Sequence, residues 1–263
     1  MLISEELQKQ LREKYNPDGS ALREHQLRLL KILLFVDEVC KKHKLQYWLS
    51  SGTLLGAYRH GGFIPWDDDI DIEMPLEDCL KLKEIIVDLN HPNYKWQDYQ
   101  TDNFFNAFPK IRDIETASMP QYSKYVEKGL KYNGLWIDVF PQTNYHKFWQ
   151  HLGGLFLYKG QNKLGTKTMV SKAICRTRYF ISFKIIFPII SRLANIKKGE
   201  CYNFSLGNSF YFSHKLSNIY PLKEIMFEGC IFKSPAKPEN YLIEYYGPTY
   251  NELPDEKWRK GHK

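Results

Sequence analysis

The chain has 263 residues, 43% hydrophobic and 25% charged, an ordinary globular composition that excludes a disordered chain and supplies enough apolar side chain for a core. Its formal charge of +7 hides an asymmetry: between Lys147 and Lys198 stand eleven Lys/Arg and no Asp or Glu, while the remainder carries 26 basic and 30 acidic residues. Five scattered cysteines (Cys40, Cys79, Cys175, Cys201, Cys230) fit neither a disulfide framework nor a zinc site, and no secretory signal is visible at the start, so a cytoplasmic location is expected.

In chain order, residues 21–43 place Leu22, Leu29, Leu33, Val36 and Cys40 at helical steps, which predicts an amphipathic helix with no task beyond packing. Residues 46–50 read as a short strand ended by Gly52, and 54–58 as a short helix broken at His60-Gly61-Gly62. After Pro65, the run Asp69-Ile70-Asp71-Ile72-Glu73-Met74 alternates acid with apolar residue, the period-two pattern of a strand. Pro75 stops it, and a helix is expected over 76–89. Residues 135–140 read as a buried strand carrying one acid, Asp138, and ended by Pro141. Residues 142–215 contain the basic stretch and read as a largely helical insertion or subdomain. Its apolar run is interrupted by Lys184 and broken at Pro188, short of the roughly 20 residues that span a bilayer. Residues 240–247 read as a helix closed by Gly247.

A strand presents residues i and i+2 on one face, so Asp69 and Asp71 set two carboxylates about 7 Å apart along one side. Their mutual repulsion is relieved by a hard divalent ion such as Mg2+, with Mn2+ as the alternative. A bare Asp-x-Asp is more often an exposed strand edge; its neighbours change that balance. Asp138 is the natural third carboxylate, because a lone acid in an apolar strand is costly unless it joins a site. Ser51-Gly52-Thr53, small residues between a strand and a helix, offer backbone N–H groups to a phosphate. Arg59, between Tyr58 and His60, and Lys110, near Arg112, supply cations that could balance phosphate charge and are the candidates for phosphate contacts. Asp67 shares the two-residue spacing but follows Pro65-Trp66 and takes a secondary rank; Asp68 points the other way.

The stretch Ser51-Gly52-Thr53-Leu54-Leu55-Gly56-Ala57-Tyr58-Arg59-His60-Gly61-Gly62-Phe63-Ile64-Pro65-Trp66-Asp67-Asp68-Asp69-Ile70-Asp71-Ile72 resembles the signature of the LicD family, which includes the fukutin-related proteins. Trp136-Ile137-Asp138-Val139-Phe140-Pro141, Tyr246-Gly247 and Leu253-Pro254 join it. The resemblance implies a nucleotidyltransferase-like α/β (α+β) fold, a mixed sheet flanked by helices, as one catalytic domain over 1–263 with 142–215 inserted. It implies Gly52 and Thr53 at the donor phosphates, with Ser51 of the same turn, and Asp69, Asp71 and Asp138 around magnesium. The implied reaction carries a phosphorylated alcohol, such as phosphocholine or ribitol phosphate, from a CDP-linked donor to a glycan hydroxyl and releases CMP. Two other readings stand beside it: a nucleotidyltransferase that releases pyrophosphate, and a non-catalytic polyanion-binding module working through 147–198. No nucleic acid is expected as partner. The basic segment is expected to meet an anionic membrane surface or a lipid-linked glycan, which would make the protein peripheral at the inner face of a membrane.

Overall fold

A computed structural model describes residues 3–157, 168–208 and 210–261. Along the first half run α1 (Glu5–Tyr15), α2 (Ala21–His43), β1 (Trp48–Leu49), α3 (Ser51–His60), β2 (Asp71–Pro75), α4 (Leu76–Leu89), β3 (Tyr94–Gln97), β4 (Lys110–Asp113) and β5 (Leu135–Thr143). Then follow α5 (Lys147–Gly154), α6 (Met169–Ile181), a π turn (Ser182–Ile186), α7 (Phe187–Ala194), β6 (Cys201–Phe204), β7 (Ser213–Lys215), α8 (Leu216–Ile219), the hairpin β8 (Lys223–Phe227) and β9 (Cys230–Ser234), and α9 (Pro238–Tyr246). This is the mixed α/β class that the sequence implies. The chain divides into two compact units, Met1–Glu73 with Trp136–Asp138 and Leu216–Lys263, and Met74–Leu135 with Val139–Lys215.

In the first unit, α2 is capped by the Ser20 hydroxyl, which accepts from the Arg23 N–H, and ends at Lys44 in the left-handed conformation. Leu29, Ile32, Leu33, Val36 and Cys40 are almost wholly buried along it, each worth about 1.5–3 kcal/mol of apolar transfer for the larger side chains. The expectation that this helix only packs is corrected by its polar face. Arg23, His25 and Gln26 are buried too, because they reach the loop that follows α3. His25 Nε2 lies 2.8 Å from the Asp68 carbonyl oxygen, and Gln26 Nε2 donates to the Asp67 carbonyl at 2.8 Å. Arg23 Nη2 donates to Glu228 Oε2 at 2.6 Å, while Glu228 Oε1 accepts from the Phe63 N–H at 2.9 Å. The loop is thus pinned through its backbone, which fixes where its acidic side chains emerge.

Helix α3 begins three residues earlier than predicted, and Gly52 lies in its first turn instead of ending a strand. Strand β2 pairs antiparallel with β1, Trp48 opposite Glu73 and Leu49 opposite Ile72. The Ser50 N–H donates to the Asp71 carbonyl at 3.1 Å as the chain turns into α3. No residue of β1 remains to pair farther back, so the strand starts at Asp71 and Asp69 lies just ahead of it. On the other side of β2, the Asp138 N–H donates to the Ile70 carbonyl at 2.9 Å, which brings Trp136–Asp138 alongside.

In the second unit, β3 and β4 pair antiparallel with Trp96 opposite Ile111, and the remainder of β5 pairs antiparallel with β6, Gln142 opposite Phe204. The expectation that Pro141 ends β5 is corrected: the strand runs on to Thr143. Proline lacks an N–H but keeps its acceptor, and the Pro141 carbonyl receives the Ser205 N–H at 2.9 Å. The described part of 142–215 is mainly helical, packed on Phe105, Tyr145, Tyr179, Phe187 and Leu206. Lys159, Lys163 and Lys167 of the basic stretch lie outside the described residues. Among those described, no helix is long and apolar enough to cross a membrane.

Candidate active site

The acid-rich strand sits against the N-terminus of α3. Asp69, Asp71 and Asp138 are half-buried, whereas Ile70, Ile72, Ile137 and Val139 between and beside them are fully buried. This is the alternation expected of a sheet with one apolar and one polar face. Asp71 is anchored through its backbone: its N–H donates to Thr53 Oγ1 at 2.8 Å. The Thr53 hydroxyl therefore holds the carboxylate-bearing strand to α3, a structural duty that the sequence reading did not assign it.

Asp67, ranked secondary from sequence, is the most buried of these aspartates. Its carboxyl is pushed well above the ordinary range, first by burial and then by the negative charges of Asp69 and Asp68. A Cβ on Gly52 would stand 2.8 Å from Asp67 Oδ2. Glycine at that position thus admits a carboxylate to the first turn of α3, where the helix dipole favours negative charge. Ser51 has φ +47, a left-handed conformation uncommon for a residue with a side chain and often found at functional turns. Ser50, the residue before the helix, gives it no side-chain cap, because its hydroxyl donates to Glu73 Oε1 at 2.8 Å.

Glu73 continues the face of Asp69 and Asp71 into the interior, where it is fully buried. A buried carboxylate persists only when its oxygens are occupied; besides Ser50, the Trp48 indole donates to Oε2 at 3.2 Å. Tyr241 Oη lies 3.0 Å from Ser50 Oγ, and its phenol is raised by burial and by the Glu73 charge. Tyr245 and Tyr246, in the last turn of α9, lie within electrostatic reach of the acids. Burial raises both phenols, and the charges of Asp69 and Asp71 raise them further. Asp67 acts on Tyr246 as well, so these acids converge on one patch of α9. Glu73 was legible as the next i+2 position. The tyrosines were not, since their motif shows only a helix end.

The other expected phosphate ligands are placed differently. Arg59 is 2% exposed, and its Nη1 donates to the carbonyls of Tyr250 at 3.3 Å and Glu252 at 3.1 Å. Burial pulls its pKa down to about 10. These bonds give Arg59 a structural role, tying α3 to the C-terminal loop. Lys110 belongs to the second unit, buried on β4 with its ammonium 5.6 Å from the Phe104 ring centre. Arg112 is fully buried there and donates to Gln97 Oε1 and the Gly134 carbonyl, each at 2.7 Å.

His60 supplies a pH prediction. Its Nε2 accepts from Arg59 Nε at 2.9 Å, and Nδ1 lies 2.6 Å from Gln8 Oε1, which fixes the neutral ring with its proton on Nδ1. Burial and the Arg59 charge lower its pKa to about 3. Because the folded pKa lies below the unfolded value of about 6.5, this site's contribution is complete above pH 6.5 and is lost as pH falls toward 3, at about 1.4 kcal/mol per unit. Urea unfolding of wild type and His60→Gln between pH 7 and 5 should show a slope shallower by nearly one proton in the variant. Identical slopes would contradict the assignment.

The donor set at Asp69, Asp71 and Asp138 is all carboxylate oxygen, which suits Mg2+ or Mn2+ better than a soft metal, and the raised Asp67 carboxyl marks negative charge that a cation would offset. Among the described residues, no three His, Cys, Asp or Glu side chains gather as a preformed cage. The fit is therefore one of chemistry and charge.

Residues 44–192 match a family model described as LicD/FKTN/FKRP, nucleotidyltransferase domain, a span that runs well into the basic stretch. The lipopolysaccharide cholinephosphotransferase LicD of Haemophilus influenzae is 28% identical over 262 residues, covering 92% of this chain and 95% of the relative. The human ribitol 5-phosphate transferase FKRP is 30% identical over 110 residues, covering 40% of this chain and 22% of the relative.

Proposed function

Because the chain belongs to the LicD/FKTN/FKRP family, we propose that it transfers a phosphorylated alcohol, such as phosphocholine or ribitol phosphate, from a CDP-linked donor to a hydroxyl of a cell-surface glycan. The observation that supports this reading is the adjacency of the chain segments that bear Asp69, Asp71 and Asp138: the Asp138 N–H donates to the Ile70 carbonyl and the Asp71 N–H to Thr53 Oγ1 in the first turn of α3. Similarity along 92% of the chain to a cholinephosphotransferase makes phosphocholine the first group to test.

In this scheme the acceptor oxygen attacks the phosphorus that carries the alcohol. The new O–P bond forms as the bond to the CMP oxygen breaks, and CMP leaves. Asp69 and Asp71, with Asp138 as third ligand, would hold Mg2+, which when bound neutralises the donor diphosphate. Asp138 is alternatively the acceptor of the hydroxyl proton. The first-turn amides at Ser51, Gly52 and Thr53 receive a phosphate oxygen. Asp67 shares a hydrogen bond with Asp69 and keeps that carboxylate oriented. Most of the rate then comes from positioning and charge neutralisation.

Purified protein with Mg2+ should release CMP from one of CDP-choline, CDP-ribitol, CDP-glycerol and CDP-ethanolamine in the presence of a glycan acceptor. The preferred donor at 100 times its Kd should stabilise the fold by about 2.7 kcal/mol, read as a raised Tm. Pyrophosphate released from a nucleoside triphosphate would overturn the scheme in favour of nucleotidyl transfer.

A further inference from the structure

In the second unit, α6, the π turn and α7 form one continuous helical run from Met169 to Ala194. One side enters the core through Cys175, Tyr179, Phe187, Ile190 and Ala194. A surface helix normally turns polar residues to the other side; this one exposes an apolar stripe there alongside its cations. Val170, Ile174, Ile181, Ile185, Ile189 and Leu193 recur at helical steps and are all exposed, Ile174 at 62% and Ile189 at 55%. Ile196, just beyond the helix, is 83% exposed.

The π turn keeps this stripe in line. A residue advances about 100° around an α-helix, so the apolar positions after Ser182 would swing toward the core if the helix were uninterrupted. The extra residue in an i→i+5 turn resets the phase and returns Ile185, Ile189 and Leu193 to the side of Ile174 and Ile181. A break in regular helix geometry here serves an outward apolar face, and the core contacts stay in register as well.

Arg176, Lys184 and Arg192 are exposed along the same run, with Lys197 and Lys198 beyond its end. No Asp or Glu occurs between Lys147 and Lys198. Beside the stripe opens a groove of about 550 Å³ lined by Leu155, Phe156, Ile174, Ile181 and Ile186 together with Arg178.

We propose that this face lies in the surface of an anionic phospholipid bilayer, its apolar stripe at the acyl boundary and its cations among the headgroups. The charge pattern selects this occupant. A second copy would bring cation-rich segments together with no acid on either to pair them, whereas an anionic surface complements both the charge and the apolar stripe. The proposal does not depend on which group the enzyme transfers.

The test is co-sedimentation of the full chain with vesicles of phosphatidylglycerol and phosphatidylcholine, against vesicles of phosphatidylcholine alone. Binding should favour the anionic vesicles at least tenfold and weaken, without vanishing, at high salt. Ile174→Asp/Ile189→Asp should lower it by at least tenfold, and Arg176→Gln/Lys184→Gln/Arg192→Gln should lower it on the order of tenfold. Circular dichroism and CMP release in detergent-free solution should stay at wild-type values in both variants. Equal binding to the two vesicle types, no binding to either, unchanged binding by the aspartate variant, or a concentration-dependent dimer that this variant abolishes would each overturn it. Should the aspartate variant fail to fold, the glutamine variant's loss of preference for anionic vesicles decides.

Discussion

An Asp71→Asn protein is expected to fold with a Tm close to wild type and, in the proposed transfer, to release CMP at least 10²- to 10³-fold more slowly, the scale seen when one preorganised electrostatic group is removed. The substitution is nearly isosteric. The bond that secures this position uses the backbone N–H to Thr53 Oγ1 and survives the change, and the side chain is only half-buried. Removing one of several crowded negative charges should not destabilise the fold, because the Asp71 charge already raises the neighbouring phenols of Tyr245 and Tyr246. Stability and rate therefore part company. Glu73→Gln makes the contrast: its fully buried carboxylate accepts from Ser50 and Trp48, so that variant should lose stability by about 1–3 kcal/mol. CMP release by Asp71→Asn at the wild-type rate, measured at saturating Mg2+, would remove the acid cluster from the mechanism. A matching fall in Tm and rate would instead reassign Asp71 to the scaffold.

That separation could be foreseen only in part from the sequence. The alternation of Asp69, Ile70, Asp71 and Ile72 revealed a two-faced strand because burial on one face imposes period two locally. Asp138 stood out for the same reason, as a single acid in an apolar run. Glu73 obeyed the pattern too, yet nothing local distinguishes a carboxylate buried beneath the site from one on its rim; the difference lies in Trp48 and Ser50, more than 20 residues away in sequence. Arg59 shows another limit. Next to a turn of small residues, an arginine reads as an anion ligand, yet it also donates to the carbonyls of Tyr250 and Glu252, contacts visible only once the chain has returned. The polar half of α2 was hidden by the strength of its apolar pattern. His25 and Gln26 fall between the leucines and bind the loop carbonyls of Asp67 and Asp68, contacts that no periodicity encodes.

Gly56→Ala is the second large effect, and two physical terms give it opposite signs. Gly56 lies inside α3 with no unusual φ, so helix propensity alone predicts a gain of about 1 kcal/mol from alanine. A Cβ at this position, however, would stand 2.5 Å from the Gly62 carbonyl oxygen and 3.1 Å from the Ile64 nitrogen. Both are backbone atoms of the loop that leads to Asp67, and they cannot rotate away as a side chain can. That loop is itself held by the Phe63 N–H on Glu228 and the Asp67 and Asp68 carbonyls on α2. The clash must therefore displace the loop or α3, and overpacking of this kind costs about 1–3 kcal/mol. The net expectation is a loss of stability together with a fall in kcat of about tenfold or more, since a displaced loop moves Asp67 and Asp69 relative to Asp71. Gly19→Ala isolates backbone strain: Gly19 has φ +81 but no atom within 4 Å of a built Cβ, so about 1 kcal/mol should be lost with no change in rate. Urea midpoints and CMP release for the pair decide between the two terms. A stabilised Gly56→Ala with full activity would mean that the loop yields freely, and that its register with α3 does not set the geometry of the acids.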